Sequence, residues 1–179
     1  MKTNSGRIAF LGVTTALAVV FLLLTLFPTA TIALAALAAL VSIPTVVELG
    51  KKAALLQYVA VSLLALLVVP AVEGKGLYVA FFGYYTVLKA FLEERRWPRA
   101  AEWGAKLAVF NAAMVAAYWV MLTFLSLEAD SFVIGGVSLP WVFLLAGNGV
   151  FAVYDLALTR LIGQYLRRWR WPLRRLFRL

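Results

Sequence analysis

The stretch Phe81–Arg96, FFGYYTVLKAFLEERR, decides how the rest of the chain is laid out. It runs apolar and aromatic, meets one lysine, Lys89, and closes on the cluster Glu93-Glu94-Arg95-Arg96. This is the pattern of a membrane helix leaving the bilayer on its positive side, where Lys and Arg collect. The segments before and after it can be laid out as hairpins that match that exit.

Composition agrees with a membrane setting. Apolar residues are 64% of the chain and charged residues 14%, against about 45–50% and about 25% for a soluble domain. Lipid offers no partner for backbone N–H and C=O groups, so spanning segments are helices or closed barrels. The apolar runs here are continuous and not alternating, which selects helices. The 179 residues leave room for roughly six helices of about 20 residues each.

The spans read in order as 8–27, 30–47, 53–69, 76–92, 107–127 and 139–163, in one domain covering residues 1–179. Pro28 ends the first, Pro44 kinks the second near its end, and Pro70 stops the third, since proline has no N–H to continue a helix. The first apolar run is too long for a signal-peptide core and more spans follow, so it reads as an uncleaved helix. The tail 164–179 carries Arg167, Arg168, Arg170, Arg174, Arg175 and Arg178 around Trp169 and Trp171. It reads as a basic interfacial segment on the membrane surface.

Numbering the two sides alternately puts the N-terminus, the 48–52 turn, the 93–106 loop and the tail together. Those segments hold 14 of the 17 Lys and Arg; Lys89 and Arg160 lie near the same end of their spans, which leaves Lys75 on the other side. Short loops rich in Lys and Arg stay in the cytoplasm. The expectation is therefore an all-α membrane protein of six transmembrane helices, with both termini cytoplasmic. The net charge of +9 belongs to this asymmetry and to anionic membrane lipids, not to a nucleic-acid partner.

The chain has no cysteine and no histidine. That removes disulfides, thiolate chemistry, Cys/His zinc sites and histidine acid–base work. No G-x-x-x-x-G-K-[ST], G-x-S-x-G or H-E-x-x-H occurs, so no ATPase or hydrolase signature is present. The expectation is no enzyme, no cofactor and no metal.

Polar groups inside the spans are few. Asp155 lies eight residues before Gly163, about 12 Å from the cytoplasmic end of its helix. A carboxylate at such depth costs about 2.5–3.5 kcal/mol on insertion scales, so it needs protein or water beside it. Lys89, with Tyr85 one turn before it, Asn111 and Glu48 lie at a similar level. Together they permit a Lys89–Asp155–Asn111 network that includes Glu48. One reading is an ion relay or polar substrate site; the blander one is an interhelical clamp. Tyr84, Tyr118, Trp119 and Trp141, with Asn148 two turns above Asp155, are the residues expected to line a ligand pocket. Helix packing and interfacial belts use such aromatics as well. Gly12 and Ala16, four apart, and the series Ala35, Ala36, Ala38 and Ala39 give smooth helix faces for close backbone approach, for packing within the chain or for a partner membrane subunit.

Six short spans, both ends inside, and an alanine-rich start resemble the substrate-binding S components of bacterial energy-coupling factor transporters. Glu48-Leu-Gly-Lys-Lys-Ala-Ala54 resembles the glycine-containing turn found there, and Phe82-Gly-Tyr-Tyr-Thr-Val-Leu-Lys89 resembles a stretch of uncharacterised bacterial six-span proteins. The resemblance implies an S-component-like bundle in the bacterial inner membrane that takes up a small, vitamin-like molecule. It implies separate partners, a transmembrane coupling subunit docked on Ala9, Gly12 and Ala16, and ATPase subunits. It also implies substrate on the outer side, beneath the Glu128–Ser138 loop. Two departures stand out. The first outer loop, Pro28-Thr29, is very short, and the strongest polar cluster faces the cytoplasmic end. The alternative is a non-transport scaffold or accessory protein that binds partners or lipids through its basic cytoplasmic rim.

Overall fold

A computed structural model describes residues 4–95, 97–124, 133–134, 137–138 and 140–177. The fold is helical, apart from a two-residue antiparallel ladder, β1 (Val133–Ile134) with β2 (Val137–Ser138). The chain divides into two compact units. The first is Met1–Arg96 with Leu158–Leu179, and the second is Trp97–Ala157.

In the first unit, α1 (Asn4–Leu23) turns inward the stripe Phe10, Thr14, Ala18 and Leu22. The four-residue spacing keeps these side chains on one helix face. That face packs on α2 (Thr31–Leu40) and α4 (Lys51–Val68). Alanines at 35, 38 and 39 are buried and let α2 sit close to its neighbours. The helix pauses at Val41 and resumes as α3 (Ser42–Leu49). Pro44 explains the pause, because it cannot donate to the carbonyl of Leu40 one turn earlier. Gly50 then takes φ 89°, a left-handed conformation that glycine adopts without strain, and the chain reverses into α4.

The connection between the expected third and fourth spans is helical from Val72 onward. α5 (Val72–Leu77) begins just after Pro70 and passes through one wide π turn, Tyr78–Phe82, into α6 (Gly83–Glu94). α4 and α6 run antiparallel. Lys51 meets Glu94 at one end, and the Tyr58 hydroxyl donates to the Val79 carbonyl at 2.8 Å farther along. Gly83 makes the approach possible, since a Cβ there would lie 2.6 Å from the Tyr58 ring.

In the second unit, α7 (Arg99–Phe124) begins inside the stretch expected to be a loop. The unit also takes in the first part of α8 (Pro140–Gln164). Past α8 come a second π turn, Tyr165–Trp169, and α9 (Arg170–Phe177), both in the first unit.

Among the described residues, four helical stretches are long and apolar enough to cross a membrane: Ser5–Leu26, Thr31–Leu49, Lys51–Val68 and Leu144–Phe177. They correspond to the expected first, second, third and sixth spans. The expected fourth and fifth fall on the helical stretches 72–94 and α7. Most of the loop Glu128–Ser138, expected on the outer side, lies outside the described residues.

Candidate functional site

Glu48, in the last turn of α3, gathers three partners. Its side chain is fully buried, at 0% exposure. Its two oxygens accept from Arg170 Nε at 3.1 Å and Arg174 Nε at 2.6 Å. The Tyr165 hydroxyl donates to the same carboxylate at 3.5 Å. Arg170 and Arg174 are one turn apart on α9, so both reach one partner. A further turn along, Phe177 packs edge-on against Phe10 of α1, with centroids 5.1 Å apart. One face of α9, which continues the helical stretch of α8 without a break, is therefore held to the helix bundle. Trp169 and Trp171 point outward at 62% and 78% exposure. A buried carboxylate facing two guanidinium groups satisfies its desolvation through charge-assisted bonds.

The buried faces of α4 and α6 carry the second cluster. Lys89 is 1% exposed and pairs with Glu93 at 2.6 Å, one turn later on α6. Tyr85 is fully buried, its ring centroid 4.9 Å from that of Phe81. Tyr84 stands edge-on to Tyr58 at 5.9 Å and to Phe81 at 6.3 Å. Its ring is thus engaged in packing within the first unit. Gln57, on the same face of α4 as Ala54, Val61 and Ala65, is 1% exposed. Neither its amide oxygen nor its nitrogen has a hydrogen-bond partner, nor do the hydroxyls of Ser62 and Thr86.

The second unit is held by a reciprocal amide pair. Asn111 Nδ2 donates to Asn148 Oδ1 at 2.9 Å, and Asn148 Nδ2 donates to Asn111 Oδ1 at 3.0 Å. Each amide also donates to a carbonyl one turn back on its own helix, Leu107 or Leu144. Asn148, expected to face a ligand, has both its donors engaged in this clamp. Next to it, Phe110 stacks on Phe151 with centroids 4.8 Å apart. Asp155 is 3% exposed and faces Lys106 at 3.4 Å. Lys106 is itself 2% exposed and also holds Glu102 at 2.6 Å.

The expected residues thus divide between the two units. Glu48, Tyr84, Tyr85 and Lys89 belong to the first, and Asn111, Tyr118, Trp119, Trp141, Asn148 and Asp155 to the second. Trp119 and Trp141 are exposed at 69% and 72%, Tyr118 is half-buried, and Ala9, Gly12 and Ala16 all stand exposed on α1. Sequence reasoning missed Lys106, which it placed in a loop. The i, i+4 spacing of Glu102 and Lys106 was the available signal for a helix there. It also missed Gln57, whose polar character is visible amid apolar neighbours, and the inward aim of Arg170 and Arg174, which no local pattern reveals.

No grouping of three or more His, Cys, Asp or Glu capable of holding a metal occurs among the described residues. No family model matches the chain, and no curated protein or solved structure matches it.

Proposed function

We propose that this chain is a six-span protein of the bacterial inner membrane, with both termini cytoplasmic. In this reading it is the substrate-binding component of a small-molecule uptake system, of the S-component kind. It is catalytically inert alone and works with separate coupling and ATPase subunits. The four membrane-long helices and the gathering of cations on one side support the layout. The lengths of 72–94 and α7, about 34 and about 39 Å, suit two further crossings.

The observation that carries the reading is the outer face of α1. Ala9, Gly12 and Ala16 are exposed there, while Phe10, Thr14, Ala18 and Leu22 point inward. A Cβ at Gly12 would meet nothing within 4 Å. Small residues four apart let another helix approach closely, as docking on a coupling subunit requires.

A second reading, a scaffold or accessory protein engaging lipids or partners through its basic rim, is favoured by one feature. Trp169 and Trp171 stand exposed among arginines on the tail. Tryptophan beside cationic side chains suits the interface of an anionic leaflet.

Purification in mild detergent separates the two. Mass spectrometry of the denatured protein should release a small molecule, and a native pull-down should recover a membrane subunit with an ATPase. Recovery of neither, across several detergents, overturns the uptake reading and leaves the scaffold.

A further inference from the structure

The two arginines on Glu48 are each held by a single N–H. Arg170 and Arg174 donate to the carboxylate through Nε, at 3.1 and 2.6 Å. A guanidinium carries further donors on its Nη atoms. Among the described residues no other acceptor meets either side chain. The Glu48 side chain is fully buried, whereas those of Arg170 and Arg174 are 39% and 34% exposed. The carboxylate therefore lies behind the pair, which a solute can reach from the other side.

The pair is positioned before any ligand arrives. The arginines are one turn apart on α9, so their side chains are neighbours. Just before α9 the Tyr165 hydroxyl donates to the same carboxylate at 3.5 Å, and past the pair Phe177 packs on Phe10. Side chains already held in place lose less freedom on binding. Charge is left over as well. One carboxylate faces two guanidinium groups, so a single positive charge is in excess. The other described carboxylates of this unit are placed elsewhere: Glu93 on Lys89, Glu94 on Lys51, and Glu73 in the first turn of α5. Arg167, Arg168 and Arg175 are exposed on the same tail and add to the positive field.

We propose that Arg170 and Arg174 form an anion site for a phosphate group, with Glu48 as the buried post that orients them. Guanidinium forks match phosphate oxygens through paired N–H···O bonds. A lipid phosphodiester carries one negative charge, which matches the excess, and its free oxygens can meet both forks. Free phosphate offers the same oxygens. Trp169, Trp171 and Leu176, exposed on the same tail, suit the lipid source, since tryptophan settles at the membrane interface. The site rests on the geometry of the tail and stands under either functional reading.

The test uses the full chain in neutral detergent. It is titrated with short-chain phosphatidylglycerol, short-chain phosphatidylcholine and inorganic phosphate, and native mass spectrometry reads the bound fraction. Phosphatidylglycerol should saturate one site. Arg170→Lys with Arg174→Lys keeps both charges before Glu48 but removes the forks, and should weaken this binding about tenfold or more. Arg168→Gln with Arg175→Gln removes two charges from the tail but leaves the pair, and should weaken it far less. Saturation by inorganic phosphate as well, weakened in the same lysine variant, shows that the bare anion suffices; binding of phosphatidylglycerol alone assigns the site to a lipid headgroup. Equal weakening in both double variants is the behaviour of a diffuse charged surface and overturns the proposal. So does phosphatidylcholine, whose choline neutralises its phosphate, binding as well as phosphatidylglycerol. A direct readout needs no variant to fold: in the wild type, the bound ligand should shift the Nη resonances of Arg170 and Arg174. Unshifted resonances, or no saturation by any of the three, also overturn it.

Discussion

Glu48 and Arg174 lie 126 residues apart and meet at 2.6 Å. The contact joins the end of α3 to the last helix of the chain, and Arg170 reinforces it at 3.1 Å. The negative charge of Glu48 is thereby an anchor for the cationic tail, one face of which packs on α3 and α1.

Replacing Glu48 should release that element. Glu48→Gln keeps the shape but removes the charge that two guanidinium groups share. Hydrogen bonds to charged groups contribute about 1.5–3 kcal/mol, and the arginines are 34–39% exposed, so a loss near the lower end, about 1–2 kcal/mol, is expected. The measurements are the thermal midpoint in detergent and trypsin cleavage at Arg175, which should quicken. Unchanged cleavage means that the latch does not hold the tail.

The amide clamp of the second unit should behave as a coupled pair. Asn111→Ala or Asn148→Ala should each cost about 0.6 kcal/mol, up to about 1.7, the range for hydrogen bonds between membrane helices. The double variant should cost less than the two singles combined. Strict additivity would mean that the amides act separately.

Lys106 faces two carboxylates, Glu102 and Asp155. Lys106→Met should therefore destabilise more than Glu102→Gln, by about 1–3 kcal/mol, because it removes a cation from buried Asp155. The expected Lys89–Asp155 pairing joins residues of different units and is tested separately. If Lys89→Asp with Asp155→Lys yields no more folded protein than either change alone, that pair is discarded.

Gly83→Ala should force the Tyr58 ring to move, since the added Cβ would sit 2.6 Å from it. Overpacking of this kind costs about 1–3 kcal/mol. Tyr58→Ala in the same background should recover part of the loss. A Gly83→Ala protein as stable as the wild type would show that the ring yields without cost.

The proposed six-span layout with both ends inside predicts a simple labelling pattern. The chain has no cysteine, so Glu73→Cys should react with an impermeant thiol reagent on intact cells, and Ser5→Cys only after permeabilisation. Labelling of Ser5→Cys from outside inverts the orientation.

Much of the helical layout was legible from residue order. Pro44 announced the break between α2 and α3, Pro70 the end of α4, and the continuous apolar runs the membrane-long helices. Boundaries were less legible where charges occur inside helices. The 93–106 stretch reads as a loop because it is charged, yet α7 starts at Arg99, since an i, i+4 Glu–Lys pair supports a helix as well as solvent does. The candidate polar clusters were read in part. Depth along a helix can be counted from its ends, which placed Lys89, Asn111, Asn148 and Asp155 as buried or half-buried groups. Partner choice cannot be counted, so Asn148 was expected at a ligand and is found on Asn111.

The sequence by itself determined that the chain is helical, apolar enough for a membrane, and strongly asymmetric in charge, because hydropathy and charge belong to each residue wherever it ends up. Only the tertiary structure decided that Glu48 receives the tail arginines, that Lys106 turns inward to Asp155, and that Gln57 and Thr86 are buried and unsatisfied. Those facts depend on helix rotation and on the register between elements distant in the chain, which packing sets and no local pattern encodes.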